Sequence, residues 1–173
     1  MPAEEWDRVL AVNLESHLQF TRELLPALLA RPEAHILNVC SMLGLSGMPR
    51  VTAYCTTKFA MVGLSQSLRA EYGRVGLGVT ALCPGFVDTG LFDAATPETE
   101  GKSPKAPPKW LCITPELVAR KAIRAIKRNQ QQVTIDPRGG MIYRAKWFMP
   151  RLFDTLLAIG RGKRIAKKTL ELE

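Results

Sequence analysis

Two short apolar runs set the frame of this chain: Ala-His-Ile-Leu-Asn-Val-Cys at residues 34 to 40 and Leu-Gly-Val-Thr-Ala-Leu-Cys at residues 77 to 83. Each has the length and near-continuous apolar character of a strand covered on both faces. Between them, from Thr56 to about Gly73, apolar Phe59, Val62, Leu64, Leu68 and Ala70 alternate with polar residues at the period of a helix lying on a sheet. A strand, a helix and a strand in that order form a parallel crossover unit, so the expected fold class is α/β. In open sheets of this kind, ligands bind outside the carboxyl ends of the strands. Ser41 follows the first run and Pro84-Gly85 closes the second, so both fall at that edge.

The intervening helix carries the chemistry. Tyr54 lies thirteen residues after Ser41, and Lys58 follows Tyr54 by four. Positions i and i+4 share one face of a helix, so an ammonium can stand beside the phenol. A free phenol has a pKa of about 10, and a neighbouring cation favours its ionised form. The positive end of the helix dipole near Tyr54 acts in the same direction. The expectation from sequence is therefore a tyrosine with a lowered pKa, able to move a proton to or from a carbonyl or hydroxyl oxygen.

Three segments carry a resemblance in order and spacing: Asn38-Val39-Cys40-Ser41-Met42-Leu43-Gly44, Tyr54-Cys55-Thr56-Thr57-Lys58-Phe59-Ala60, and Cys83-Pro84-Gly85-Phe86-Val87-Asp88-Thr89. They resemble the serine, tyrosine-lysine and proline-glycine motifs of the short-chain dehydrogenases and reductases, and Val12-Asn13-Leu14 resembles that family's asparagine motif. The likeness covers about residues 3 to 90 well and 114 to 135 loosely. Cys40 and Cys55 stand where the family more often has Ser, Gly or Ala, which are small substitutions. The resemblance implies a Rossmann-like, doubly wound parallel sheet and an NAD(P)-dependent oxidoreductase that interconverts a carbonyl and an alcohol. It implies Tyr54 as general acid or base, Ser41 as a hydrogen-bond partner of the substrate oxygen, and Lys58 as the group that lowers the tyrosine pKa and holds the nicotinamide ribose. It also implies that Asn13 holds a water linking Lys58 to solvent. Pro84 and Gly85 would shape the cofactor turn, Val87 would bind the carboxamide through its backbone, and Thr89 would contact the cofactor. The hydride would come from NAD or NADP, leaving positioning and proton supply to the protein. Plainer roles stand beside these: Ser41 as a cap, Asn13 as a polar helix residue, Thr89 as a turn residue, and Gly85 for its backbone angles.

A dinucleotide fold places a glycine-rich loop after its first strand and an acidic or basic residue about 20 residues further on. Neither is present: Gly44 and Gly47 lack a third partner before the helix, and Gly139-Gly140 open a late helix without the strand and acid. Met1 to Arg31 already has the apolar spacing of a helix, with Trp6, Leu10, Leu14, Leu18, Leu25 and Leu28, and Pro26 near its end. The expected architecture is thus the carboxyl-terminal part of such a domain: about three strands with flanking helices over residues 1 to 137. Two functional readings follow, an active oxidoreductase or an inactive remnant that serves as an association partner. In the resembled family the asparagine and tyrosine helices form subunit interfaces, which implies a homo-oligomer.

Composition narrows the rest. With 46% hydrophobic residues in 173, the chain can bury one core. The four Cys at 40, 55, 83 and 112 lack metal-ligand or disulfide-framework spacing, so they suit a reducing, cytoplasmic setting without a metal. The amino terminus is acidic at Glu4, Glu5 and Asp7, unlike a signal peptide, and no apolar run approaches the roughly 18 residues of a spanning helix. Residues 90 to 113, interrupted by Gly90, Pro97, Pro104, Pro107 and Pro108, form either a loop over an apolar substrate or a plain connection. Thr114-Pro115-Glu116 marks a helix start leading to about 128, and Gln132 to Ile135 a last strand. From Arg120 onwards, 14 Lys or Arg face 4 acids, so the whole net positive charge lies at the carboxyl end. Residues 138 to 173 are expected to form a basic helical extension, divided at Pro150, in which Met141, Trp147, Phe148, Met149 and Leu152 mix with Arg144, Lys146 and Arg151. Such a segment suits an anionic membrane surface, or else packs on the domain with its charges solvated. An aliphatic stripe beside the charges argues against nucleic acid.

Overall fold

A computed structural model of the chain describes residues 2–49, 51–89, 107–152 and 155. The chain opens with helix α1 (Ala3–Leu10), a π-helical turn (Ala11–Glu15) and helix α2 (Ser16–Leu29), which follow one another without a break. Then come strand β1 (Ala34–Val39), helix α3 (Thr52–Tyr72), strand β2 (Leu77–Cys83), helix α4 (Pro115–Lys127), strand β3 (Gln132–Thr134) and helix α5 (Pro137–Phe148). The three strands form one parallel sheet in the order β1-β2-β3. The expected helix around residues 56 to 73 thus begins at Thr52, which places both Tyr54 and Lys58 inside it. The helix start expected at Thr114 is also present, with the Thr114 hydroxyl accepting the Leu117 amide and Pro115 in the first turn.

All seven residues of β2 are buried, as a strand covered on both faces must be. Its odd-numbered residues meet the amino-terminal helices and α3. Leu77 and Val79 pack with Leu68, Leu25, Leu28 and Leu29, while Ala81 and Cys83 pack with Met61, Val62, Cys40 and Leu45. Helix α4 contacts β1 and β2 and buries Ala125 completely. On β2 the Thr80 hydroxyl lies 2.9 Å from His35 Nε2 of β1 and donates to the Gln130 carbonyl after α4. Asn38 is buried and donates to the Ser65 hydroxyl at 2.9 Å, which ties β1 to α3.

β1 departs from the expectation of a fully covered strand. Four of its six residues are half-buried and Val39 is 50% exposed. The reason is its place in the sheet: β2 occupies one edge, and among the described residues no strand pairs with the other. Residues 149 to 152 extend past α5, with Met149 outside a helix and Pro150 opening a further turn. Residues 90–106 of the expected substrate loop and 156–173 of the expected tail lie outside the described residues. Among the described residues no helix is long and apolar enough to cross a membrane.

A short 3-10 turn, Met42–Gly44, leads from β1 toward α3 and packs directly on that helix. A Cβ on Gly44 would lie 2.5 Å from the Lys58 carbonyl oxygen and 2.8 Å from its carbon, and neither backbone atom can yield without moving α3. Gly44→Ala is therefore expected to destabilise the fold by about 1–3 kcal/mol, the usual cost of overpacking. Urea unfolding checks this, and an unchanged midpoint would show that the turn is free to shift.

Candidate active site

The parallel register brings the sequence motifs together. Val39 pairs with Leu82, and the ladder continues past both strands: the Cys40 amide donates to the Leu82 carbonyl at 2.8 Å and the Met42 amide to the Pro84 carbonyl at 2.9 Å. Ser41 therefore sits between two residues fixed to the Pro84 side of the sheet. Its backbone is extended, and its hydroxyl accepts the Leu43 amide at 3.1 Å. The plainer role of a cap is thus real, yet it does not exhaust the residue, because the Ser41 side chain also lies close enough to Tyr54 to favour the ionised phenol.

Tyr54 lies in the first turn of α3, and the Lys58 ammonium stands 5.5 Å from the centre of its ring. Lys58 is 9% exposed, and its ammonium donates to the Val39 carbonyl at 3.1 Å. In a parallel strand, successive residues direct their amide and carbonyl groups to opposite edges. Since Cys40 bonds to β2, the Val39 carbonyl faces the outer edge of β1. Lys58 thus satisfies an acceptor on that open edge.

The electrostatics correct one expectation. Lys58 and the helix dipole were expected to lower the Tyr54 pKa, but burial pushes the Tyr54 hydroxyl above the ordinary phenol range. The neighbouring Ser41 side chain pulls it down, and the Cys55 and Cys40 thiols push it up. The physical reason is that desolvation penalises a phenolate more than the groups around it compensate, with the ammonium engaged by Val39. Burial also pushes the Lys58 ammonium below its usual range, partly offset by Cys40 and Cys83. Beneath the site, Cys40 and Cys83 lie in one core cluster: their interaction draws the Cys40 thiol down, whereas that interaction and burial push Cys83 up. All four cysteines are free thiols.

Asn13 is half-buried in the π-helical turn, which packs against α3. The turn is a slip of the hydrogen-bond ladder. The Ser16 amide reaches back five residues to the Ala11 carbonyl, and the Ser16 hydroxyl takes up the bypassed Val12 carbonyl at 2.7 Å. Single π-turns inside helices are rare and often mark functional sites. Sequence reasoning also missed His17 on the same helix, whose pKa is pushed down by burial and then by the Lys58 charge. Beyond Pro84-Gly85, Val87 forms an isolated bridge with Ile113, and the Thr89 amide donates to the Val87 carbonyl at 2.9 Å. Gly85 lies against Asp136, which would stand 3.0 Å from an added Cβ. Ser41, Tyr54, Lys58 and Pro84 are thus gathered at one edge of the sheet, while Val87 and Thr89 lie on the irregular segment leading away from β2. An open groove of about 580 Å³ lined by Met48, Pro49, Cys55 and Phe59 flanks the start of α3, but Tyr54 and Lys58 do not line it.

Known proteins share this arrangement. The family model for short chain dehydrogenase matches residues 1–100. Human 17-beta-hydroxysteroid dehydrogenase 13 is 30% identical over 157 residues, covering 89% of this chain and 49% of that protein. Retinol dehydrogenase 10-B of Danio rerio is 32% identical over 161 residues, 91% of this chain and 46% of the relative. The chain therefore spans about half the length of these curated relatives. Among solved structures, a short chain dehydrogenase from Burkholderia cenocepacia in complex with NADP superposes with a TM-score of 0.75 at 20% identity, covering 90% of this chain and 60% of that one. A 3-oxoacyl-[acyl-carrier protein] reductase with bound NAD from Brucella melitensis is 27% identical with a TM-score of 0.61, covering 79% and 52%. Together with the parallel sheet and the gathered Ser41, Tyr54 and Lys58, the match over residues 1–100 makes this chain a member of the short-chain dehydrogenase family.

Proposed function

We propose that this chain carries the proton-transfer part of an NAD(P)-dependent oxidoreductase that interconverts a carbonyl and an alcohol. The observation that carries the reading is the Lys58 ammonium over the Tyr54 ring, with Ser41 beside the tyrosine, at the carboxyl edge of a parallel sheet. The residues fit a nicotinamide dinucleotide in one respect: they place a cationic donor, Lys58, beside the phenol, suited to hydroxyls of a ribose. When bound, the cofactor supplies or accepts the hydride. The Tyr54 hydroxyl gives its proton to the carbonyl oxygen in reduction and, as phenolate, takes the proton of the alcohol in oxidation. Ser41 holds the same oxygen in line. A Tyr54 kept protonated by burial suits the acid role, in which its hydroxyl gives a proton to the carbonyl oxygen.

NADP and NAD are each bound in a similar solved structure, which supports a nicotinamide dinucleotide of either kind here. Asn13 would order a water toward Lys58, and Pro84, Gly85, Val87 and Thr89 would line the cofactor. The substrate proposed is a small apolar alcohol or carbonyl compound, in keeping with the steroid and retinol named for two relatives. Exposed Val12, Phe20 and Leu24 on the amino-terminal helices and Phe59 on α3 offer apolar surface for a homo-oligomer. Relatives named as a hydroxysteroid dehydrogenase, a retinol dehydrogenase and a 3-oxoacyl-[acyl-carrier-protein] reductase support an enzyme over an inactive association partner, although one relative is named as an inactive dehydrogenase.

Two measurements test the reading. Oxidation needs the phenolate, so its rate should rise with pH through the Tyr54 pKa, while reduction should fall. The Ser41 side chain acts to lower that pKa, so Ser41→Ala should move both limbs to higher pH. Unmoved limbs would remove Ser41 from the proton path. In a titration with NADH and NADPH followed by nucleotide fluorescence, Lys58→Met should weaken binding on the order of ten-fold or more, the worth of a charge-assisted hydrogen bond. Equal affinity in the variant would show that Lys58 does not hold the cofactor.

A further inference from the structure

We infer that the carboxyl-terminal helix α5 and the turn after it dock on the surface of an anionic lipid bilayer. The inference is independent of the oxidoreductase reading. One side of α5 belongs to the domain: Gly139 lies against Met42, Gly140 against Thr134, and Tyr143 packs on the core cluster of Cys40, Met61 and Cys83. The opposite side is apolar as well. Met141, Ala145 and Phe148 fall at i, i+4 and i+7, which is one stripe of a helix. Met141 is 64% exposed and Phe148 84%, and Met149 and Leu152 beyond them are 52% and 51% exposed, while Trp147 lies one turn after Tyr143 and donates its indole N–H to the Tyr143 hydroxyl at 3.1 Å. Large apolar side chains set this close together on an exposed surface mark an interaction site.

Charge identifies the partner. Arg144 and Arg151 are exposed, and Arg144 flanks the stripe. Between Asp136 and Asp154 the sequence holds four Lys or Arg and no acid. A second copy docked on this face would set these cations against their own counterparts with no carboxylate between them, and like charges in apposition are costly. An anionic lipid surface accepts both components, with the apolar side chains at the headgroup level and the cations on the phosphates.

Co-sedimentation of the full chain with vesicles tests this. The chain should pellet with phosphatidylcholine vesicles containing phosphatidylserine and remain in solution with pure phosphatidylcholine, and added salt should release it. Each basic group near an anionic surface contributes roughly a five-fold change in partitioning, so Arg144→Gln with Arg151→Gln should lower binding by more than ten-fold. Met141→Ser with Phe148→Ser should do the same. These four positions are exposed, and unchanged circular dichroism will show that the fold is kept. Equal pelleting on the two vesicle types, unaltered binding in either double variant, or concentration-dependent dimerisation abolished by Met141→Ser with Phe148→Ser in the absence of lipid would overturn the proposal.

Discussion

The site rests on the parallel pairing of β1 with β2. That ladder runs beyond the strands through Cys40 and Met42, so the Ser41 turn is fastened to the Pro84 side of the sheet. The same turn packs on α3 so closely that Gly44 meets the backbone at Lys58. Ser41 comes from one stretch of chain and Tyr54 and Lys58 from another, and this double fastening fixes their positions relative to one another. A one-residue slip of β1 would turn the Asn38 side chain away from Ser65. Register and site geometry are therefore one constraint.

The cluster is held in electrostatic tension. Burial opposes ionisation of both Tyr54 and Lys58, and each finds a partner that limits the cost: Ser41 for the phenol and the Val39 carbonyl for the ammonium. Val39 lies on the one edge of β1 that no described strand occupies. Lys58 is thus both a site residue and the group that satisfies an open backbone acceptor. Its position depends on what stands beside that edge.

Much of this was legible in the sequence, and for identifiable reasons. The apolar run at 77 to 83 corresponds residue for residue to β2, because a strand buried on both faces needs no polar alternation. Thr114-Pro115 located the start of α4, since both residues act locally on the helix terminus. The Tyr54-Lys58 spacing gave their shared helix face, although not the direction of the Tyr54 pKa, which depends on how much water the surrounding chain removes. The π-turn at Ala11–Glu15 leaves no residue-type signature, as its cause is a hydrogen-bond slip completed by one hydroxyl, Ser16. The exposure of β1 was equally hidden, because an apolar strand has the same sequence at an edge as in the centre of a sheet. The nearness of His17 to Lys58 depends on packing between helices far apart in sequence.

The central claim is that Tyr54 is the proton donor and acceptor of a carbonyl–alcohol interconversion. The most direct measurement compares Tyr54→Phe with the unaltered protein, recording turnover on apolar ketones and nucleotide affinity in the same preparation. Removing one hydroxyl leaves the ring, the helix and Lys58 in place. The account expects turnover to fall by about 10²-fold or more, the usual weight of a positioned general acid, with nucleotide affinity nearly unchanged. Turnover retained by Tyr54→Phe would contradict it and place the proton path elsewhere.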